Sequence, residues 1–255
     1  MKSTKFIIPN LLFAMFLVFS GCNKEEKDPP ALRLVSKIEH YENDGNDVML
    51  SEIVEYRYDK QNRISEMTVT GETGVNKVVF SYPSENIMVC GSITYMLNSD
   101  GTIASLSNGD QSMVTSTYSN GYLMKRDYYM EFETISMAST ETYTWENGNI
   151  TSMVIEQSYL TDPSWSISAT LIFEYGSIQQ KPCSIEFYLF TVSIPRGWYG
   201  KTVKNLPSKV ITQSDFGSDV VTTYRYEIDD KGYPTKIFVQ ENEEEELRTV
   251  IEYEN

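Results

Sequence analysis

Short segments in which aromatic and β-branched residues alternate with polar ones recur along most of the chain. Alternation with a period of two places the apolar side chains on one face of a strand, and no segment shows the 3.6-residue apolar spacing of a helix. The segments are separated by turns rich in Gly, Asn and Asp, which tolerate the positive φ angles of tight hairpins. The clearest turns are 43–46, 59–62, 98–101, 119–121, 146–149 and 229–232. The pattern predicts an all-β chain of consecutive antiparallel hairpins.

The hairpins share a repeated unit. In its best copy, Tyr56 and Tyr58 lie two residues apart on one strand face, a polar turn follows, and Ile64 begins the return strand. The next apolar residue, Met67, comes three positions later, and this odd spacing predicts a β-bulge, or an Ile packed on the turn, at the head of the return strand. Further copies begin at Tyr143 and Tyr224, weaker ones at Tyr95 and Thr117, and half-copies at Phe173 and Ile251.

The spacing of the turns accommodates about 14–16 strands. A meander of that length coils under its right-handed twist, and closure or near-closure hides its edges. We therefore predict that residues 32–255 form a single domain, a long antiparallel meander curled into a barrel-like or half-barrel sheet. The 18 tyrosines suit such an interior, because each buries apolar area and keeps a hydroxyl for a partner. A membrane-spanning barrel is the rival, but the polar segment 134–142 does not supply the outward apolar band that it requires.

The first 22 residues have the layout of a bacterial export signal. Two lysines precede an apolar run, Phe6–Phe19, which is shorter than the about 20 residues that cross a bilayer. The run ends in Phe-Ser-Gly-Cys, which resembles the lipobox of bacterial lipoproteins except that Phe stands where Leu is usual. The resemblance implies a signal peptide over 1–21 and lipidation of Cys22. An ordinary secretory signal with an incidental Cys is the alternative.

Residues 22–31 are predicted to be a polar tether, too charged to join a core. Within it, Lys24-Glu25-Glu26 resembles the export signal of surface lipoproteins in Bacteroidetes-type bacteria, which implies a position on the outer face of the outer membrane. The hairpin unit resembles the YD repeats of RHS-type proteins. A lipobox followed by such hairpins resembles a family of uncharacterised lipoproteins from gut Gram-negative bacteria. That resemblance covers most of 32–255, is poor at 176–210, and implies a porin-like or barrel-like fold but no activity and no catalytic residues.

Charge and composition exclude several function classes. The formal net charge is −15, which disfavours nucleic-acid binding and predicts that the domain stands off from an anionic membrane, so that the lipid anchor alone holds it there. The only histidine, His40, excludes a His-His metal pair, and its surroundings indicate a strand residue and not a catalytic base. Neither a GxGxxG nor a GxxxxGK[ST] motif is present. We therefore predict no cofactor, no metal and no enzymatic activity.

Residues 194–207 interrupt the hairpin pattern. This run is rich in Pro and Gly, and it is basic in an otherwise acidic chain. Trp198 and Tyr199, with Arg196 and Lys201 beside them, are predicted to form a platform for a sugar or peptide ligand. The alternative is a long connection pinned by its own aromatic side chains. Trp165 is a second candidate of the same kind, with the same alternative.

Two cysteines remain in the domain, Cys90 and Cys183. An exported compartment permits a disulfide between them, and two buried free thiols are the other interpretation. The carboxylate run 241–246 lacks the alternating ligand spacing and glycine bend of a calcium loop, so we interpret it as a solvated hairpin tip.

Together these features predict a surface-anchored lipoprotein that binds an extracellular glycan or protein without catalysis. A carboxylate-based glycoside hydrolase is one alternative, because such enzymes need two acids about 5–10 Å apart and the chain has many. A structural accessory of an outer-membrane complex is the other.

Overall fold

The computed structural model describes residues 32–254 except for 44–47, 110–111, 133–134, 161–165, 187–193, 216 and 242–243. The predicted signal peptide, Cys22 and the tether therefore lie outside the described residues. No described segment forms a helix long and apolar enough to cross a bilayer. The strands are β1 Val35–Asn43, β2 Val48–Tyr58, β3 Ile64–Gly71, β4 Gly74–Ser84, β5 Ile87–Cys90, β6 Ile93–Leu97, β7 Ile103–Ser107, β8 Ser112–Ser119, β9 Tyr122–Phe132, β10 Ile135–Glu146, β11 Asn149–Tyr159, β12 Ser166–Gln179, β13 Ile185–Glu186, β14 Ile194–Pro195, β15 Asn205–Ser214, β16 Val220–Ile228, β17 Pro234–Gln240 and β18 Glu245–Tyr253.

Sixteen of these strands form one closed antiparallel barrel. Each strand pairs with its neighbours in the sequence, except that β12 pairs directly with β15. The short strands β13 and β14 pair with each other in the connection between those two. The first and last strands, β1 and β18, pair antiparallel and close the ring. The predicted meander of about 14–16 strands is confirmed, and the sheet closes completely.

The apolar core lies inside the barrel. One buried cluster, which includes Ile38, Tyr56 and Phe80, joins side chains from the first five strands to side chains from the last strands of the chain. A second cluster, which includes Tyr143 and Phe173, fills the lumen between the strands from β9 to β15. A barrel of this size needs a filled interior, and the alternating inward residues supply it.

The outward face of the wall is polar. Ion pairs join neighbouring strands there: Lys77 Nζ lies 2.6 Å from Glu66 Oε2, and Lys209 Nζ lies 2.8 Å from Glu174 Oε1. Exposed apolar side chains such as Val75 are scattered among them, as on most protein surfaces. A barrel that crosses a bilayer has an apolar band on its outer face instead. The apolar side of this sheet is therefore the inside.

The predicted bulges are confirmed in the tight hairpins. In the β2–β3 hairpin, Tyr58 pairs with Ile64 and Arg57 with Glu66, which leaves Ser65 as the extra residue near the start of β3. The same irregularity follows the first or second residue of the return strand in four other hairpins. Their extra residues are Ala104, Met124, Thr151 and Thr235.

An aromatic hydrogen bond accompanies most of these strand ends. In each case a Tyr or Trp near the C-terminal end of one strand donates a side-chain hydrogen bond. The acceptor is a backbone carbonyl near the N-terminal end of the preceding strand in the sheet. The measured pairs are Tyr58 to Val35 (2.7 Å), Tyr82 to Ile64 (2.9 Å), Tyr118 to Ile103 (2.8 Å), Trp145 to Leu123 (2.7 Å), Tyr226 to Pro207 (2.7 Å) and Tyr253 to Pro234 (2.8 Å). Strand β12 has Tyr175 near its end, whereas β6 ends in Leu97, which has no hydroxyl to donate. A bulge disrupts the ladder locally, and a buried carbonyl needs a donor. The repeated aromatic therefore serves as a donor as well as a core side chain.

The connection between β12 and β15 is described at residues 180–186 and 194–204, and in these parts it crosses the end of the barrel at which the tight turns lie. Its backbone is bonded to three of these hairpins: Trp198 O accepts from Ile103 N at 2.8 Å, Lys201 N donates to Gly121 O at 2.8 Å, and Lys204 N donates to Gly148 O at 2.9 Å. We call this connection the plug and this end of the barrel the plugged end. The opposite end is the open end.

Candidate functional site

Trp198 is an interior residue of the plug. Its ring packs against Phe80 and Tyr95, with ring centroids 5.7 Å apart in both pairs, and it contacts both core clusters. Its carbonyl also accepts from the Tyr118 hydroxyl at 3.3 Å. Trp198 therefore packs on the core from within the plug, and a ligand role for this half-buried residue remains a prediction.

The other predicted platform residues are dispersed. The Tyr199 ring lies in the lumen, with the Arg126 guanidinium 4.7 Å from its centroid. Arg196 is half-buried and lines a cleft on the outside of the plugged end. Arg196 also lines a second cleft, of about 300 Å³, together with Trp198, whereas Tyr199 is not part of its lining. A ligand role for Tyr199 or Arg196 remains a prediction. Trp165 lies outside the described residues.

Both domain cysteines are free thiols. The Cys183 thiol is buried and donates to Ile185 O at 2.9 Å, while Cys90 is half-buried in the same cluster. Burial raises the pKa of Cys183 to about 12, so that it stays protonated and unreactive at neutral pH. Of the two interpretations that the sequence left open, the structure has the unbonded one.

The lumen contains one satisfied ion pair. Arg126 Nε donates to Glu141 Oε2 at 2.7 Å, and the Tyr143 hydroxyl donates to the same oxygen at 2.5 Å. The guanidinium is 8% exposed and lies against the rings of Tyr128 and Tyr199. Because both charges are paired and caged by aromatic rings, this cluster specifies the packing of the second half of the barrel and leaves no group free for a ligand.

A polar cavity of about 460 Å³ opens near the open end. The cavity is lined by residues on, or directly after, five strands that lie side by side in the order β2, β1, β18, β17 and β16. Because side chains from all five strands meet in it, the cavity lies on the concave face of the sheet. Aromatic, cationic and anionic side chains all contribute. Its main polar lining residues are His40, Glu52, Tyr224, Glu241, Arg248 and Thr249. We call it the mouth cavity.

The mouth cavity holds a donor without a partner. Arg248 Nε is buried and has no hydrogen-bond partner within the described part of the chain, although the Nη2 of the same side chain lies 3.2 Å from Glu246 Oε2. A buried N–H in that state is costly unless a water or a ligand oxygen accepts from it. This arrangement is therefore suited to a ligand that carries acceptor oxygens.

Burial also sets the protonation of the neighbouring groups. It lowers the pKa of His40 below its usual 6.5, although the charge of Glu52 acts in the opposite direction, so the imidazole is neutral at pH 7. Burial raises the pKa of Tyr224 to about 12, and the nearby Glu241 carboxylate adds to that effect. His40 and the Tyr224 hydroxyl can therefore each both donate and accept hydrogen bonds.

Sequence reasoning missed this site, because its residues come from opposite ends of the chain. His40 was interpreted as a strand residue, which it is, but nothing local indicated that Arg248 would lie beside the same cavity. Barrel closure brings β1 and β18 together, and that pairing was not assigned from the sequence. Among the described residues, no group of three or more His, Cys, Asp or Glu side chains is arranged to hold a metal ion.

Comparison with solved structures identifies the architecture. A porin-like protein from Bacteroides vulgatus ATCC 8482 matches with a TM-score of 0.63 at 12% identity, over 87% of this chain and 99% of that one. A porin-like protein from Bacteroides uniformis ATCC 8492 matches with a TM-score of 0.59 at 18% identity, over 89% and 99%. The fold is that of a porin-like barrel. No protein-family model and no curated protein matches the sequence. At these identities the likeness extends to the fold alone, which agrees with the barrel-like fold that the resemblance to gut lipoproteins implied.

Proposed function

We propose that this porin-like barrel is a non-enzymatic, lipid-anchored binding protein of the outer membrane, and that the mouth cavity binds an extracellular glycan. The observation that carries the proposal is the buried, unpartnered Nε–H of Arg248 in a cavity that also contains Tyr224 and several carboxylates. Sugar hydroxyls supply the acceptor oxygens that this group lacks, and tyrosine rings supply apolar surface beside polar groups.

The proposed location combines three supports. The lipobox-like segment that ends at Cys22 implies an anchor. The similar structures are porin-like proteins from Bacteroides. The ion-paired outer wall favours a barrel that stands in water over one that is embedded in lipid. We therefore propose that acyl chains on Cys22 hold the protein at the membrane, with the barrel exposed on the cell surface.

The test begins with the full lipoprotein, purified in mild detergent and applied to a glycan array, followed by calorimetry with the glycans that bind. Arg248→Met should weaken binding at least tenfold, because a ligand acceptor loses its buried donor. The matched control is Arg57→Met, since this arginine is 77% exposed on the outer wall. An array without any hits, or glycan affinity unchanged by Arg248→Met, would contradict the proposal.

Two observations favour alternatives: a protein ligand in place of a glycan, and a glycoside hydrolase in place of a binding protein. Val48, Met49 and Leu50 are each more than 40% exposed at the open end, and such a patch favours a protein ligand. Glu52 and Glu241 line the same cavity, which is the minimum that a glycoside hydrolase requires. If a bound glycan were cleaved, and if Glu52→Gln abolished cleavage but not binding, the non-enzymatic proposal would be wrong.

A further inference from the structure

The unpaired cations of this acidic chain are gathered at one end of the barrel. Of the seventeen basic residues that the structure describes, eleven form ion pairs with Asp or Glu. The other six form no ion pair among the described residues, and all six lie in the plug or in the tight turns beside it. They are Lys60, Lys181, Arg196, Lys201, Lys204 and Lys231.

Three of the six surround one cleft. Arg196, Lys201 and Lys204 line an outward cleft of about 720 Å³ between the plug and the hairpin turns. The backbone amides of Lys201 and Lys204 are bonded to Gly121 and Gly148, so the cations project from a fixed base. The single carboxylate in the lining, Asp100, already accepts from the backbone N and the hydroxyl of Thr102, at 3.1 and 2.7 Å.

Other carboxylates of the plugged end are partly neutralised. Asp59 is paired with Arg63 at 2.6 Å, and Asp229 is paired with Arg33. Six more acids lie at this end without an ion pair among the described residues: Glu85, Asp100, Glu146, Glu186, Asp230 and Glu254. They equal the six unpaired cations in number, and Glu186 is buried, whereas the chain as a whole has 36 acids and 21 bases. The plugged end is therefore the least acidic surface of a strongly acidic molecule.

The chain also enters the barrel at this end. Leu34 O accepts from Glu254 N at 2.9 Å, and the Arg33 backbone is bonded to Pro182 and Ser184 in the plug. Cys22 is only ten residues before Leu32, the first described residue. Ten residues span at most about 35 Å when fully extended. An anchor at Cys22 is thus connected to the plugged end, while the mouth cavity opens near the other end.

We propose that the plugged end docks on the phosphate groups of the anionic lipid surface in which the anchor is inserted. Arg196, Lys201 and Lys204 make the contact, and the mouth cavity faces away from the membrane. This inference rests on the proposed lipid anchor. An acyl anchor and a basic patch act as two cooperating membrane signals, and each cation near an anionic surface strengthens partitioning about fivefold. The negative net charge predicted repulsion, but the distribution of charge favours contact at this one end.

Lysine footprinting of the anchored protein tests the proposal. The full lipoprotein is inserted into vesicles of phosphatidylcholine, or of equal parts phosphatidylcholine and phosphatidylglycerol, and acetylation of each lysine is followed by mass spectrometry. We expect Lys201 and Lys204 to react several-fold more slowly on the anionic vesicles, and high salt to remove the protection. Lys77 and Lys209, which are paired on the outer wall, are internal controls and should react equally on both.

Charge reversal supplies the matched variants. In the triple variant R196E/K201E/K204E, we expect the protection of the remaining plugged-end lysines, Lys60, Lys181 and Lys231, to be lost. Lys236 is also ion-paired, with Glu227 at 2.9 Å. The variant K77E/K209E/K236E has the same change in net charge and should keep that protection. Equal behaviour of the two triple variants, or no protection in the unmodified protein, would overturn the docking proposal. Failure of the unmodified protein to float with either vesicle would instead count against the lipid anchor.

Discussion

The attachment of the plug depends on a glycine at the point of closest approach. Gly200 has a φ of +87°, and a Cβ there would lie 2.4 Å from Gly121 O. We expect Gly200→Ala to lower the free energy of unfolding by about 3 kcal/mol, because left-handed strain and displacement of the turn add together. Denaturant unfolding measures this loss.

The matched control for that glycine is Gly197→Ala. Gly197 has a similar φ of +82°, but a Cβ there would meet no atom within 4 Å. Strain alone then costs about 1 kcal/mol. Equal losses in the two variants would show that the plug does not need its close contact with the hairpin turn.

A buried acid in the plug makes stability depend on pH. Glu186 is 2% exposed and accepts from Gly197 N at 3.0 Å, and burial raises its pKa to about 8. Between the unfolded pKa of about 4.5 and pH 8, the folded state holds a proton that the unfolded state has lost. The contribution of Glu186 to stability therefore falls as the pH rises through this window, by up to about 1.4 kcal/mol per unit.

Replacement of this acid isolates its effect from other titrations. The Glu186→Gln variant should lack the loss of stability that ionisation of Glu186 causes. Its free energy of unfolding, relative to that of the unmodified protein, should therefore rise from pH 5 to pH 8. Thermal melts at several pH values measure it. A difference that stays constant across the window would show that Glu186 ionises normally.

The hydrogen bond from an aromatic side chain to the carbonyl near the start of the preceding strand recurs in most copies of the hairpin unit. Tyr118→Phe and Tyr226→Phe should each cost about 1–2 kcal/mol of unfolding free energy, because a buried carbonyl loses its donor. Tyr129→Phe is the control, since its hydroxyl bonds Glu131 on the exposed surface and its loss should cost less than about 0.5 kcal/mol. If all three variants lost the same stability, the interior bonds would have no special role.

The hairpin unit could be predicted because its signals are local. Tyr58, the turn and Ile64 lie within seven residues, and their spacing alone indicates a strand, a reversal and a bulge. The aromatic donor could not be predicted, because its acceptor, such as Val35 for Tyr58, lies on another strand. The packing of Trp198 against the core could not be predicted for a related reason: the plug has no periodicity, so its sequence does not indicate which side chains face the core.

At the scale of the whole molecule, the polar outer face of the barrel predicts that the protein partitions into water once the lipid anchor is removed. A variant in which an ordinary cleavable secretory signal replaces residues 1–22 should enter the aqueous phase of a detergent phase separation, because the outer face of the barrel is ion-paired. The unmodified protein should enter the detergent phase. If the processed variant stayed in the detergent phase, the barrel wall itself would enter lipid.

The seam between β1 and β18 determines when the barrel can be completed. Val35 pairs with Tyr253, so the ring is closed by contacts between the two ends of the chain. Contacts of such high sequence separation form slowly, because the loop-closure entropy must be overcome first. If the chain is exported N-terminus first, β1 arrives with an unpaired edge and waits for the last residues to be translocated. An exported chain would therefore pass through an interval in which a nearly complete sheet is open to proteases and to other strands.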